Sequence, residues 1–201
     1  MTIDLKKDLK DLYAPPAYDF VEVDVPDMTY LAVDGRGDPN ASAAYAEAVE
    51  ALFTTAYAIR AQSKARGTMF VVGPLEGLWS SADPGSFVTR DKGAWEWTML
   101  IPIPDAVDPE DVAAGLAAAR KKKPRLPPVE VRVLSEGRCL QILHVGSYDD
   151  EAPTLQRLHD ELMPAKGVTF NGPHHEIYLA DPRRTAPEKL RTVLRQPITP
   201  R

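Results

Sequence analysis

Apolar and polar residues alternate with a period of two in several short runs of this chain and recur every three or four positions in three longer ones. The first pattern is that of strands, whose side chains point to opposite faces in turn, and the second is that of helices. Phe20-Val21-Glu22-Val23-Asp24-Val25 alternates as a strand, Pro26-Asp27 marks a turn, and Met28 to Val33 resumes an extended run. Ala41 to about Ala65 is helical, with Tyr45, Val49, Leu52, Phe53, Ala56 and Tyr57 at spacings of three and four and Asn40 or Ser42 available as a cap. Gly67 ends it. Met69 to Val72 and Leu75 to Trp79 read as extended pieces about the Gly73-Pro74 turn. The turn signals Asp83-Pro84-Gly85 and Asp91-Lys92-Gly93 place a loop between Ser80 and Ala94. Trp95 to Ile101 is the most aromatic strand, with Trp95, Trp97 and Met99 on one face.

A second helix is expected from Ala106 to about Lys122, stopped by Pro124, and its terminal run Arg120-Lys121-Lys122-Lys123 suits a helix C-terminus better than a nucleic-acid patch. Beyond Pro127-Pro128 the chain repeats its own order. Glu130-Val131-Arg132-Val133 echoes Glu22 to Val25, Leu140 to Gly146 echoes Thr29 to Gly35, and a third helix from Glu151 to about Lys166 follows an acidic loop as the first helix does. Gly167 to Pro173 echoes Gly67 to Pro74. We therefore expect an internal duplication, with repeats over about 18–104 and 128–182, inside one domain of 1–201. The arginine-rich stretch 183–201 reads as a final turn and short helix with ion pairs at its surface.

The sequence converges on His174-His175-Glu176-Ile177-Tyr178-Leu179. If it is a strand, His174, Glu176 and Tyr178 share one face while His175, Ile177 and Leu179 pack on the core. A carboxylate flanked by aromatic residues suits a pocket; an ordinary wet outer face is the alternative. Its counterpart in the first repeat is Glu76 if the Gly-Pro turns are matched and Glu96 if strands are counted. Either pairing would bring acidic and aromatic residues toward a shared cleft, the place where pockets form. His174 beside His175 resembles a metal ligand pair, but strand neighbours point apart and no third ligand has motif spacing, so no metal and no cofactor is expected.

Composition narrows the class. The chain has 201 residues, 44% of them hydrophobic, which suffices for a substantial core, and a net charge of −5 sets its overall field against binding duplex nucleic acid. The single cysteine, Cys139, excludes an internal disulfide and sits in a strand-like run. The N-terminus is charged every few positions and lacks an apolar core, so no signal peptide or membrane span is expected, and the location is read as cytoplasmic. Ile3, Leu5, Leu9 and Leu12 make a short amphipathic turn or two before Pro15-Pro16.

The loop Gly35-Arg-Gly-Asp-Pro-Asn40, the stretch Pro74-Leu-Glu-Gly-Leu-Trp79, the strand Trp95-Glu-Trp-Thr-Met-Leu100, the run His144-Val-Gly-Ser-Tyr-Asp149 and the segment His174 to Arg183 together resemble the stand-alone GyrI-like small-molecule-binding proteins. The resemblance covers roughly residues 4 to 198. It implies an α+β fold of two fused βαββ repeats, a curved antiparallel sheet backed by two long helices, and a central ligand cavity. Relatives in that family include effector domains of multidrug-sensing regulators and a gyrase-inhibiting protein, and some stand-alone members hydrolyse the activated cyclopropane of DNA-alkylating natural products. With only about twenty residues before the first strand, no DNA-binding helix-turn-helix is expected.

The resemblance implies a cavity glutamate at Glu176, acting as general base, with Tyr178 as the first candidate donor to a developing phenolate. Trp79, Trp97, Tyr148, Glu76, Met99 and His174 are the expected ligand-binding residues. The expected ligand is a planar hydrophobic or cationic small molecule, bound by a monomer or homodimer, with neither nucleic acid nor membrane as partner. Three functions fit: a detoxifying hydrolase of cyclopropanoid toxins, a non-catalytic drug binder or sequestering protein, and a protein-interaction module such as a gyrase modulator.

Overall fold

In a computed structural model, residues 2–82 and 91–201 are described, and the expected Asp83-Pro84-Gly85 turn lies outside them. The elements run β1 (Thr2–Ile3), α1 (Leu5–Asp8), α2 (Lys10–Tyr13), β2 (Val21–Val25), β3 (Met28–Arg36), α3 (Ala43–Ala65), β4 (Met69–Phe70), β5 (Leu75–Ser81) and β6 (Trp95–Ile103). They continue with α4 (Pro109–Lys122), β7 (Glu130–Leu134), β8 (Gly137–Val145), α5 (Ala152–Gln156), a π-helical segment (Arg157–Leu162), α6 (Met163–Ala165), β9 (Val168–Phe170), β10 (His174–Tyr178) and β11 (Arg191–Pro200). The class is α+β with antiparallel sheets, as the resemblance implies. The chain divides into two compact units, one of Met1–Asp8 and Met28–Leu134, the other of Leu9–Asp27 and Ser135–Arg201.

In the first unit the strands lie in the order β5-β6-β3-β7, every neighbouring pair antiparallel. β3 carries Tyr30, Leu31 and Ala32, and β6 carries Met99, Leu100 and Ile101, all inaccessible to solvent. α3 packs against this pair of strands with a face of small residues, Ala48, Ala51, Thr55 and Ala56, joined by Leu52 and Ile59, whereas Tyr57 stands exposed. That small face lets α4 come close. A Cβ on Gly115 would lie 2.6 Å from the Ile59 backbone, so only glycine fits the contact. α4 begins where Asp108 accepts a hydrogen bond from the Glu110 amide at 2.8 Å, with Pro109 at the first helical position.

In the second unit the order is β2-β8-β11-β10, again antiparallel, and β9 pairs with the far end of β11. Leu140, Leu158, Met163, Val168 and Ile198 form a core cluster, with Phe20 and Leu162 packed on it. The strand order thus reads alike in both units, yet each takes its outer strand from the other half of the sequence: β2 pairs with β8, and β7 with β3. The echo between Glu22–Val25 and Glu130–Val133 is matched by equivalent outer positions.

One expectation fails. The stretch 183–201 holds no α-helix: after a 3-10 turn at Pro187–Lys189 it becomes the ten-residue β11, the central strand of its sheet. Pro197 cannot continue a helix, and Thr192, Val193, Ile198 and Thr199 favour extended backbone. A second repeat of four strands therefore runs past 182. Arg195, expected at a surface, is 1% exposed.

Candidate functional site

β10 alternates as its sequence predicts: His175 and Ile177 are completely buried, while His174, Glu176 and Tyr178 share the other, partly covered face. The Tyr178 hydroxyl donates to Oε2 of Glu176 at 2.8 Å, and the other carboxyl oxygen lies 3.7 Å from Nε2 of His174. The Glu176 side chain is only 15% exposed. Burial raises its pKa, and the Tyr178 hydrogen bond and the charge of His175 hold the rise in check. Burial foremost, then His159 and His175, pushes His174 down to about 3, so its ring is neutral at ordinary pH. Both its ring nitrogens are buried without a hydrogen-bond partner among the described residues.

A second carboxyl joins this face from the short turn Tyr148–Glu151. Glu151 is 5% exposed, and burial followed by the charge of Glu176 drives its pKa upward, with the Thr192 hydroxyl opposing the rise. Thr192 is the β11 neighbour of Tyr178 and, on the other side, of His144. The ring of Tyr148 meets that of Tyr178 edge to face at 5.7 Å, and burial ahead of Glu151, Glu176 and Asp181 pushes its hydroxyl up to about 12. The second unit therefore assembles two protonatable carboxyls and two tyrosines around one strand end. The charge of Glu176 acts on Glu151, so these two buried carboxyls cannot both ionise freely and the pair tends to keep at least one proton.

Behind β10 lies a row of buried polar residues. His175, Arg195 and Gln141 are register neighbours across three strands. Glu136, in the turn before β8, receives His175 Nδ1 at 2.9 Å on one oxygen and Arg195 at 3.2 Å on the other. Burial raises the Glu136 pKa, but the charges and hydrogen bonds of His175 and Arg195 outweigh it and bring it to about 2. Arg195 also donates to Oε1 of Gln141 at 3.1 Å and to the Leu12 carbonyl at 2.8 Å, while the Gln141 amide donates to the Asp11 carbonyl at 2.6 Å.

Of the residues expected to bind ligand, Tyr148, His174, Glu176 and Tyr178 come together in the second unit. Glu76, Trp79, Trp97 and Met99 belong to the first. There Glu76, wholly buried on β5, sits opposite Leu100 of β6, as Glu176 sits opposite Leu194 of β11, whereas Glu96 is exposed. Strand position thus matches Glu76, not Glu96, with Glu176. Trp97 is held by the protein itself: its ring covers Gly35, where a Cβ would come within 2.0 Å, its edge contacts Tyr45 at 5.3 Å, and its indole N–H donates to the Gly37 carbonyl at 3.3 Å. Trp79 packs against Tyr45 and Trp95.

Sequence reasoning missed Glu151, Thr192 and the Glu136–Arg195 pair. Glu151 stands at the start of an expected helix, and the sequence assigns Glu136 no role. The available signal was Arg195 itself, a lone cation in the run Thr192-Val193-Leu194-Arg195. Among the described residues no three of His, Cys, Asp and Glu are grouped to hold a metal, and no helix is long and apolar enough to cross a membrane.

The GyrI-like small molecule binding domain matches residues 18–199. A solved structure of a conserved protein from Listeria innocua is 38% identical, covers 98% of this chain and 100% of its own, and superposes with a TM-score of 0.88. A hydrolase from the same organism is 37% identical over 99% of this chain and 100% of its own, with a TM-score of 0.86. The C-terminal domain of EcmrR shares the fold, with a TM-score of 0.56 at 10% identity over 92% of this chain and 99% of its own. No curated protein matches.

Proposed function

The chain belongs to the GyrI-like small-molecule-binding family, and from that premise we propose that it hydrolyses activated cyclopropanes, with Glu176 as the base that orients the attacking water. What carries the proposal is the buried carboxyl pair Glu151 and Glu176 with the Tyr178 hydroxyl on Glu176 at 2.8 Å. The 37% identity to proteins described as hydrolases supports hydrolysis over binding alone.

In a spirocyclopropyl dienone the water oxygen bonds to a ring methylene and the bond from that carbon to the spiro centre breaks. Its electron pair passes to the carbonyl oxygen as the ring becomes aromatic. One water proton goes to Glu176, the phenolate takes a proton from solvent, and Glu176 returns its own to solvent, so the net change is addition of one water. The methylene and the carbonyl oxygen lie at opposite ends of the dienone ring. Tyr178, hydrogen-bonded to Glu176, therefore belongs to the water end and orients the base, rather than serving as the donor its sequence position implied. We assign the carbonyl end to the Tyr148 hydroxyl, whose raised pKa keeps it a donor. Glu151 retains its proton beside Glu176 and limits the pair to one negative charge.

The test is incubation of the pure protein with a spirocyclopropyl cyclohexadienone, following loss of the dienone absorbance. Glu176→Gln should abolish turnover while leaving affinity for the planar core. Absence of turnover by the parent protein across a cyclopropanoid panel, with binding retained, would reduce the function to sequestering planar hydrophobic molecules.

A further inference from the structure

Glu176 carries its chemistry on one face of β10, but the residue beside it, His175, points the other way into the buried row behind the strand. This row does more than fill space. Glu136 is 7% exposed and engages both His175, at 2.9 Å, and Arg195, at 3.2 Å, through separate carboxyl oxygens. Arg195 is further fixed by Gln141 and the Leu12 carbonyl, so it cannot swing away, and the Glu136 carboxylate is fixed with it. The Glu136 carboxylate on Nδ1 favours the imidazolium, while burial and the neighbouring Arg195 guanidinium oppose it.

Resting on the reading of Glu176 as the base, we propose that Glu136 and His175 are positioning residues which hold an imidazolium behind the site strand and thereby favour the ionised form of Glu176. The groups facing Glu176 and His175 define the arrangement. Around Glu176 are Tyr178 and neutral His174 on its own strand, Glu151 and Tyr148 from the preceding turn, Thr192 from β11, and His175 behind. Around His175 are Glu136 and Arg195, with Glu176 and His174 on either side in sequence. Of the cations in these two sets, the charge of His175 is the one that acts on Glu176, where it opposes burial. The Tyr178 hydrogen bond on one face and the charge of His175 on the other both favour the ionised Glu176 against burial.

Two measurements test this without relying on turnover. Ring-nitrogen NMR of the unmodified protein should show His175 protonated on both nitrogens at neutral pH; a neutral His175 there overturns the proposal with no variant needed. Difference infrared titration, parent minus Glu176→Gln, reads the Glu176 carboxyl directly. In His175→Gln and in the isosteric Glu136→Gln, its midpoint should rise by about one pH unit or more, the scale expected when a neighbouring opposite charge is withdrawn. A folded His175→Gln or Glu136→Gln protein with an unmoved midpoint sinks the inference. If dienone turnover fails while the midpoint moves, the catalytic reading falls and the charge arrangement stands; if turnover proceeds and the midpoint is unmoved, the reverse holds.

Discussion

The Tyr178 hydroxyl donates to Oε2 of Glu176 across 2.8 Å, from two residues further along the same strand. Residues i and i+2 of a strand share a face, so β10 itself builds this pair and no loop has to close to make it. The bond favours the ionised carboxylate against a burial that disfavours it.

Tyr178→Phe removes that bond and keeps the ring. The Glu176 pKa should climb further from its ordinary value. Its folded-state pKa is already raised above the unfolded 4.5, so stability on its account is fully present below that value and is lost as pH rises through the folded one. In the variant the loss continues to higher pH, by about 1.4 kcal/mol for each unit of further rise. Urea midpoints taken from acid to mildly alkaline pH read this directly, and coincident parent and variant curves would contradict it. The acid limb of the turnover profile should move up with the titration.

Glu151→Gln reproduces the protonated form of Glu151 in a group that cannot ionise. Burial and Glu176 raise the native pKa of Glu151 far above 4.5. The unfolded chain therefore releases this proton first, and parent stability falls steadily with pH from about 4.5 upward. The variant should lack that fall, and so be the more stable protein by a margin that widens from acid to alkaline pH. Chemical unfolding at three pH values checks it; a margin that shrinks or stays constant as pH rises refutes the assignment.

Much of this site could be read from the sequence. The alternation around Glu176 requires only a strand with one buried face, a local property, and that prediction matches the burial of His175 and Ile177. β11 was hidden because Arg191, Arg195, Pro197 and Pro200 are poor company for a central strand by local preference, and only pairing with β8 and β10 decides it. Glu136 and Glu151 escaped for a related reason. Glu136 is buried against partners far along the chain, 39 residues on for His175 and 59 for Arg195, Glu151 lies beside Thr192 and Glu176, and no periodicity encodes such distances. The Trp97 face was legible as apolar, but that Gly35 and Tyr45 occupy it was not.

Gly35→Ala should destabilise the first unit. Its Cβ would lie 2.0 Å from the Trp97 ring, on a side chain pinned by Tyr45 and by its own indole hydrogen bond. Overpacking of this kind costs about 1–3 kcal/mol. Adding Trp97→Phe, which shrinks the ring, should recover part of that loss. Thermal melts of the two single variants and the double variant test the coupling, and strictly additive changes would argue that the two residues do not touch.

Acid stability isolates the buried row. Glu136 is held near 2 against an ordinary 4.5, so its contribution is present above about 4.5 and is lost as pH falls toward 2. Parent stability should therefore decline across this acid window more steeply than that of Glu136→Gln, whose side chain has nothing to protonate. Arg195→Met makes the stronger demand. It leaves Glu136 with His175 alone, withdraws the guanidinium from Gln141 and the Leu12 carbonyl, and keeps a carboxylate in a place sealed from water. Breaking a buried pair from one side costs about 3–5 kcal/mol. Replacing both partners, as in Glu136→Leu with Arg195→Met, removes the under-compensated carboxylate, lets His175 be neutral, and should restore much of the difference. A double variant as unstable as Arg195→Met alone would mean that the lost anchoring of residues 11 and 12, not the carboxylate left with a single partner, sets the cost; equilibrium unfolding of the three proteins at neutral pH separates the two.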